Sequence, residues 1–258
     1  MALEQFELNG RIAMVTGSTR GLGEVAAKAM AKAGADIVVC GRNESDLKRV
    51  PEQIRQIGVK SEGYFLEVTS MQSVRDAAKK ILNDFGRVDI LVNNAGTNYR
   101  ASILETPVQE WERIIDIHLH GTFRVSQAIV PQMIERGYGK VINISSIASR
   151  VVVPPKVTNC PAYHAAKGGI NQLTKVMAVE WAQSGVRANA IAPTYFETDM
   201  VKVVRNDPER FQAICDKTPM GRMGELSEFE GVVIFLASPA SDFITGQIVG
   251  IDGGWTAW

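Results

Sequence analysis

Short runs of β-branched and other apolar residues alternate with longer amphipathic segments along almost the whole chain. The short runs predict about seven strands: Ile12 to Val15, Asp36 to Cys40, Gly63 to Val68, Val88 to Asn93, Lys140 to Ile144, Arg187 to Ile191 and Ile248 to Ile251. The amphipathic segments predict helices at Leu22 to Ala33, Glu44 to Ile57, Ser70 to Phe85, Pro107 to Arg136, Ala162 to Gln183 and Ser227 to Ala237. This alternation predicts an α/β fold, a doubly wound parallel sheet with helices on both faces.

No segment of the chain has the composition of a linker, an internal repeat or a low-complexity tract. We therefore predict one domain over residues 1–258. Within it, residues 194–223 are rich in charged residues, Met, Pro and Gly, with one helical piece from Pro208 to Lys217. We interpret this segment as a mobile lid over a ligand, and an ordinary surface insertion is the alternative.

The composition excludes several classes of partner. Of 258 residues, 45% are hydrophobic and 22% charged, and 28 Lys and Arg balance 28 Asp and Glu, so no net field favours nucleic acid or an anionic membrane. No apolar run approaches the ~20 residues that span a bilayer, and the N-terminus lacks signal-peptide features, so we predict a cytoplasmic protein. The three cysteines form no CxxC and the three histidines lack carboxylates at ligand spacing, so we expect neither disulfide nor metal.

A glycine-rich segment follows the first predicted strand and leads into an Ala-rich helix. Glycines there let the backbone turn sharply and let a pyrophosphate approach the amide groups at a helix N-terminus. The segment predicts a Rossmann-type dinucleotide site, and a tight structural turn is the alternative. Its predicted cofactor-binding residues are Gly17, Ser18, Thr19, Arg20, Gly21, Leu22 and Gly23.

The end of the second predicted strand indicates which dinucleotide binds. An acidic residue at this place binds the ribose 2′-hydroxyl of NAD, whereas an Arg accommodates the 2′-phosphate of NADP. This chain has Arg42 there, and Arg20 in the glycine-rich segment is a second cation. Because guanidinium groups pair well with phosphate, we predict NADP(H), and two solvated surface charges are the alternative.

Tyr163 and Lys167 are four residues apart in a predicted helix and so share one face. An ammonium group beside a phenol favours the phenolate and lowers the pKa of the Tyr from its usual ~10. We therefore predict that Tyr163 exchanges a proton with an alcohol or carbonyl oxygen. A surface lysine beside a half-buried ring is the alternative.

Six motifs occur in a characteristic order over essentially the whole chain: Thr16 to Gly23, Asn93-Asn94-Ala95-Gly96, Ile144-Ser145-Ser146, Tyr163-x-x-x-Lys167, Asn189-Ala190-Ile191-Ala192-Pro193 and Asp252-Gly253-Gly254. Together they closely resemble the single-domain short-chain dehydrogenase/reductase family. The resemblance implies that Tyr163 is the general acid/base and that Lys167 lowers its pKa and contacts the cofactor. It also implies that Ser146 binds the substrate oxygen, although a turn closing the strand would also explain this serine. The further cofactor-binding residues that it implies are Glu67, Val68, Asn94, Ala95, Gly96, Pro193 and Thr198.

Some positions depart from the pattern of that family. His118 stands where the family has an active-site Asn that holds a water of the proton relay. A His can take over this hydrogen bond and add pH sensitivity, or it can be a core histidine, and both interpretations stay open. Thr194 stands where Gly is usual, which predicts either a strained backbone or a different turn. Ser146 and Tyr163 are 17 residues apart, and the excess falls in a loop from Val153 to Asn159 that we expect over the substrate.

Two arginines lie in loops that follow the strands, Arg100 and Arg150, and guanidinium groups suit a carboxylate. The stretches Asn93 to Arg100 and Gly168 to Met200 look most like the gluconate 5-dehydrogenase branch of the family, which implies a sugar acid such as 5-ketogluconate or gluconate as substrate. A reductase of 3-oxoacyl thioesters or a general carbonyl reductase is the alternative. An NADPH-binding regulatory protein without turnover is a third interpretation, motivated by His118 and Thr194.

The two longest predicted helices carry more apolar surface than one sheet face covers. Pairing with further copies of the chain would bury that surface. The family resemblance implies a homotetramer or homodimer, and we expect one of these two assemblies.

Overall fold

The computed structural model describes residues 4–155, 157–198 and 201–257. Seven strands form one sheet in which all neighbouring pairs are parallel, in the order β3-β2-β1-β4-β5-β6-β7. The predicted doubly wound sheet is thereby confirmed. The strands are β1 (Ile12–Thr16), β2 (Asp36–Gly41), β3 (Ser61–Phe65), β4 (Ile90–Asn93), β5 (Gly139–Ile144), β6 (Val186–Pro193) and β7 (Ile248–Ile251).

Nine α-helices occur within the described ranges. They are α1 (Gly21–Lys32), α2 (Glu44–Arg55), α3 (Met71–Phe85), α4 (Val108–Ile115), α5 (Gly121–Glu135), α6 (Pro161–Trp181), α7 (Lys202–Arg205), α8 (Pro208–Lys217) and α9 (Leu226–Ala237). The single long helix predicted from Pro107 to Arg136 is two helices, α4 and α5, joined by a π-helical turn over Asp116–His120. Such a turn inserts extra residues into the helical repeat and so changes which side chains face the sheet beyond it.

Two hydrophobic clusters lie against the two faces of the sheet. One contains Met30 of α1, Ile54 of α2 and Phe229 of α9. The other contains Ile81 of α3 and further residues of α5 and α6. Successive side chains of a buried strand point to opposite faces, which is why these apolar strands feed both clusters.

A third hydrophobic cluster is formed mainly by segments outside the sheet. Its buried members are Ile147, Val153, Val157, Val204, Ala213, Ile214, Met223 and Trp255. They come from the loop before α6, from α7 and α8, from the segment between α8 and α9, and from the segment after β7. The predicted lid and the predicted substrate loop therefore pack on each other.

The strand order reverses at β1, which lies between β2 and β4. In open parallel sheets, ligands bind in the crevice beyond the carboxyl ends of the strands at such a reversal. Thr16, Asn93 and Ile144 are the last residues of β1, β4 and β5, and the segment after each strand begins at this crevice. Among the described residues, no helix is long and apolar enough to cross a membrane.

Candidate active site

The glycine-rich segment forms the tight turn between β1 and α1. Gly17 and Gly21 have φ of 62° and 58°, which strongly favours glycine. A Cβ at Gly23 would lie 2.4 Å from the carbonyl oxygen of Gly17, and one at Gly17 would lie 2.9 Å from Cα of Ala95. Arg20, at the N-cap of α1, makes no side-chain capping hydrogen bond in the described structure. The turn thus leaves the positive end of α1 open to an anion.

Side chains of the neighbouring strands hold this turn in place. Asn94 donates from Nδ2 to the carbonyl oxygens of Thr16 and Gly17, both at 3.0 Å. The hydroxyl of Ser18 donates to the carbonyl of Val15 at 2.8 Å and accepts from the amide of Cys40 at 3.0 Å. Ser18 is fully buried, so its hydroxyl shapes the turn from within the protein.

Arg42 and Glu67, both predicted to bind cofactor, form an ion pair. Nη1 of Arg42 lies 2.9 Å from Oε2 of Glu67, and 66% of the Arg42 side chain is exposed. The other carboxylate oxygen of Glu67 accepts from the amide of Thr69. Burial would raise the pKa of Glu67, but these hydrogen bonds outweigh it and lower the pKa. Arg42 is therefore held at the end of β2 by an exposed ion pair with Glu67. Because solvent screens this pair, a phosphate can take the place of Glu67 as the partner of Arg42.

Ser146, Tyr163 and Lys167 come together beyond the end of β5. Nζ of Lys167 donates to the carbonyl of Ile144 at 2.5 Å and lies 5.4 Å from the ring centroid of Tyr163. The hydroxyl of Ser146 accepts from the amide of Ala148 at 3.2 Å, so its own proton remains available to donate. Ser146 therefore closes the predicted turn after β5 and still has a proton that it can donate toward Tyr163.

The expectation that Lys167 lowers the pKa of Tyr163 is wrong for the structure described. Burial raises the pKa of Tyr163 to about 12, and only the Ser146 hydroxyl works in the opposite direction. Burial also lowers the pKa of Lys167 to about 7. Desolvation disfavours the charged forms of both side chains, and Lys167 is not among the groups that shift the pKa of Tyr163. At neutral pH Tyr163 is consequently a protonated phenol that can donate.

His118 lies in the π-helical turn and packs edge-on against Tyr163, with ring centroids 5.2 Å apart at 88°. Its Nε2 lies 2.7 Å from the carbonyl oxygen of Thr97, which accepts, and Nδ1 has no hydrogen-bond partner in the described structure. A Cβ at Gly96 would be 2.4 Å from Cε1 of His118, so glycine is required there. Burial lowers the pKa of His118 to about 3, which argues against the pH sensitivity near neutrality that the relay interpretation would allow. The relay and core interpretations both fit this geometry.

The two arginines predicted to bind substrate are in different places. Arg100 is exposed and lies close enough to Tyr195 for its charge to counteract the burial that raises the pKa of that phenol. The guanidinium of Arg150 instead donates to the carbonyl of Ile248 in the edge strand β7. Tyr163 and Cys160 also influence the pKa of Tyr195, so Arg100 and Tyr163 both lie near Tyr195.

Thr194 takes the different turn that was one of two predicted outcomes. No non-glycine residue in the described ranges has a positive φ, so the backbone at Thr194 is not strained. Its amide donates to the carbonyl of Ile251 at 3.2 Å, which extends the pairing of β6 with β7. Pro193, predicted to bind cofactor, is the last residue of β6. Thr198, also predicted to bind cofactor, lies near the glycine-rich turn, because a Cβ at Gly21 would lie 3.9 Å from its Cγ2.

Comparison with known proteins matches nearly the whole chain. A family model described as enoyl-(acyl carrier protein) reductase matches residues 17–256. The chain is 38% identical over 251 residues to gluconate 5-dehydrogenase of Gluconobacter oxydans, covering 97% of this chain and 96% of that protein. It is 40% identical over 256 residues to 2-dehydro-3-deoxy-D-gluconate 5-dehydrogenase of Formosa agariphila, covering 98% and 96%. The chain belongs to the short-chain dehydrogenase/reductase family.

The solved structures of this family agree with the fold. The crystal structure of a gluconate 5-dehydrogenase from Burkholderia cenocepacia in complex with NADP and tartrate matches with a TM-score of 0.96 and 40% identity, covering 100% of both chains. The predicted family and fold are thus confirmed, and this short-chain dehydrogenase/reductase is an oxidoreductase that acts on CH–OH groups.

Two side chains of the site were missed at the sequence level. The first is Asn171, which hydrogen-bonds to the serine-rich turn after β5. The only feature of the sequence that could have predicted this is its position eight residues after Tyr163, on the same face of the helix. The second is His164, which joins both ends of the loop before α6. Its Nδ1 lies 2.9 Å from the carbonyl oxygen of Cys160, and Nε2 accepts from the amide of Val153 at 3.3 Å.

Among the described residues no cluster of potential metal ligands occurs.

Proposed function

We propose that this short-chain dehydrogenase/reductase is NADP(H)-dependent and interconverts a ketone and a secondary alcohol of a sugar acid, of the 5-ketogluconate/gluconate type. The observation that carries the proposal is the meeting of Ser146, Tyr163 and Lys167 at the same edge of the sheet from which the open N-terminus of α1 begins. The relatives from Gluconobacter and Burkholderia are gluconate 5-dehydrogenases, and the relative from Formosa is a 2-dehydro-3-deoxy-D-gluconate 5-dehydrogenase, so all three names support a sugar acid as the substrate class.

The residues at the crevice fit NADP(H). Side chains at Gly17 and Gly23 would collide with Ala95, with Asn94 and with the backbone of the turn itself, so the glycines allow the close β1–α1 turn that presents the N-terminus of α1 to a pyrophosphate. Arg42 and Arg20 supply positive charge where the 2′-phosphate would lie, and the described part of the β2 end offers no acidic residue in their place. When bound, NADPH supplies the hydride for reduction of the ketone.

The chain itself supplies the proton and polarises the oxygen. Ser146 donates a hydrogen bond to the substrate oxygen, and the protonated phenol of Tyr163 donates its proton to that oxygen as charge develops there. Lys167, when protonated, stabilises the phenolate that Tyr163 leaves behind. In the reverse direction the phenolate accepts the proton of the alcohol.

A carboxylate of the substrate is assigned to Arg100. Its guanidinium is exposed on the side of the crevice where Tyr163 and Tyr195 lie. A charge-assisted hydrogen bond between Arg and carboxylate contributes about 1.5–3 kcal/mol. Arg150 is the weaker candidate for this role, because its guanidinium already donates to the carbonyl of Ile248 in β7.

Purified protein should oxidise NADPH with 5-ketogluconate at a kcat/KM about tenfold or more above that with an acetoacetyl thioester or a neutral ketone. Arg100→Leu should raise KM for the keto acid about 10- to 100-fold, because it removes the charge-assisted bond, and should leave KM for the neutral ketone unchanged. Arg150→Leu is the matched control and should change neither. Preference for the thioester would support the alternative reductase, and NADPH binding without turnover on any carbonyl would support a regulatory protein.

The segment 194–223 is proposed as a lid, although Asp199 and Met200 lie outside the described residues. Its support is the third hydrophobic cluster, in which Ile214 and Met223 pack with the loop before α6. NADPH should slow tryptic cleavage between residues 201 and 217 about tenfold, because closure protects the exposed backbone. Cleavage in this range that is independent of NADPH would favour an ordinary surface insertion.

A homotetramer or homodimer belongs to the same proposal. Exposed apolar side chains occur on α4, α5 and α6, among them Val108, Phe123 and Val179. An exposed apolar patch that spans several helices is typical of a subunit interface. Light scattering that gives the mass of one chain would contradict the proposed assembly.

A cytoplasmic location is likewise proposed and is tested by cell fractionation.

A further inference from the structure

We infer that Asn171 is a positioning residue for Ser146 in the proposed ketone reduction. The inference rests on the proposed function only for the role of Ser146, and it is carried by hydrogen bonds that join α6 to the turn after β5.

Helix α6 presents Tyr163, Lys167 and Asn171 at intervals of four residues, so they form one row along its face. Lys167 donates to the carbonyl of Ile144, the last residue of β5. Asn171 contacts the next turn of backbone, where Ser145 to Ser149 connect β5 to the rest of the site. The helix that carries the proton donor thus also holds the segment that carries Ser146.

The hydrogen bonds of Asn171 form a chain with a fixed direction. The hydroxyl of Ser145 donates to Oδ1 of Asn171 at 2.6 Å, and Nδ2 of Asn171 donates to the hydroxyl of Ser149 at 2.8 Å. The hydroxyl of Ser149 then donates to the carbonyl of Ser146 at 2.5 Å. The backbone of Ser146 is therefore fixed to α6 through one intermediate side chain.

Only a side chain that both accepts and donates can maintain this direction. An amide does so, whereas a carboxylate only accepts. In Asn171→Asp, the Ser149 hydroxyl would donate to the new carboxylate, and the carbonyl of Ser146 would keep its backbone bond from the amide of Ser149 at 3.0 Å but lose the bond from the hydroxyl. The network is separate from that of Thr174, a buried residue of α6 whose hydroxyl accepts from Asn143 and donates to Ile170.

A positioning role predicts that substitutions at 171 act through Ser146. With the preferred ketone and saturating NADPH, Ser146→Ala should lower kcat about 100-fold or more, since it removes a hydrogen bond to the developing charge. Asn171→Leu, nearly isosteric, should lower kcat about 10- to 100-fold through misplacement of Ser146, with KM changed less than about threefold. Asn171→Asp and Ser149→Ala should have similar effects, because each removes the hydroxyl bond from Ser149 to the carbonyl of Ser146.

The decisive measurement is a double-mutant cycle. When Ser146 is already Ala, Asn171→Leu should lower kcat less than about threefold further, because its effect needs the Ser146 hydroxyl. Thr174→Val is the matched control: it removes a buried hydrogen bond of the same helix and should act independently of Ser146→Ala. Melting temperature and NADPH affinity by fluorescence are followed in all variants, and NADPH affinity should be unchanged.

An equal loss of kcat from Asn171→Leu with and without Ser146 would overturn the inference, as would full activity of Asn171→Leu and Ser149→Ala. If Asn171→Leu does not fold, Ser149→Ala carries the same cycle. Wild-type-like activity of Ser146→Ala would instead refute the role given to Ser146 in the proposed function, so the two failures are distinguishable.

Discussion

Tyr163→Phe should lower kcat for ketone reduction by about 10³-fold, or about 4 kcal/mol of transition-state stabilisation. The substitution removes one hydroxyl group and keeps the ring that packs on His118 at 5.2 Å between centroids. Because burial keeps the pKa of Tyr163 at about 12, the wild-type phenol is protonated and ready to donate throughout the neutral range. Phe has no proton to give, so the developing alkoxide would rely on water. Steady-state NADPH oxidation measures the loss.

The expected pH dependence has a definite sign. A raised pKa of Tyr163 favours the protonated form, so reduction should not require an alkaline solution. Oxidation of the alcohol needs the phenolate, so its kcat should rise as the pH rises toward the pKa. His118 is neutral above its pKa of about 3 and should add no step to the profile at neutral pH. Measuring kcat in both directions across the pH range tests these statements together.

Tyr64→Phe is the matched control for Tyr163→Phe. Tyr64 lies in β3, away from the crevice, and its hydroxyl donates to Asp84 at 2.9 Å. Its loss should cost about 1 kcal/mol of stability and leave kcat unchanged. The affinity of Tyr163→Phe for NADPH, measured by fluorescence, should stay within about threefold of wild type. Substantial turnover by Tyr163→Phe would show that another group supplies the proton.

The sequence predicted the parts of this fold that depend on regular repetition. Apolar runs such as those of β1 and β4 are buried on both faces, so the parallel sheet follows from them directly. The glycine-rich turn was predicted from the spacing of its glycines between a strand and a helix, and the positive φ at Gly17 and Gly21 agrees with it. The proximity of Tyr163 and Lys167 followed from helical spacing.

Features that depend on three-dimensional surroundings could not be predicted. Helical spacing places Lys167 beside Tyr163, but the sign of the pKa shift depends on how much water the fold excludes from both. The π-helical turn at His118 interrupts a segment whose pattern indicated one helix. Arg150 was grouped with Arg100 because both follow strands, whereas its partner is the carbonyl of Ile248, nearly a hundred residues later in the chain.

Arg42→Asp should reverse the cofactor preference. The ratio of kcat/KM with NADPH to kcat/KM with NADH should fall about 100-fold or more, which corresponds to about 3 kcal/mol. Arg42 lies at the end of β2 and its side chain is held by Glu67 at 2.9 Å. Removing the guanidinium removes its charge-assisted bonds to a 2′-phosphate, and the new carboxylate beside Glu67 repels that phosphate and can accept from a ribose 2′-hydroxyl instead.

The reversal should come from both cofactors, with NADPH losing affinity and NADH gaining it. Lys79→Asp is the matched control, because it makes the same change in charge on the exposed middle of α3 and should leave the ratio unchanged. Salt gives a second test: the affinity of the wild type for NADPH should fall with ionic strength more steeply than that of Arg42→Asp, since salt screens an exposed charge pair. An unchanged ratio in Arg42→Asp would place the 2′-phosphate elsewhere, with Arg20 as the remaining cation of the β1–α1 turn.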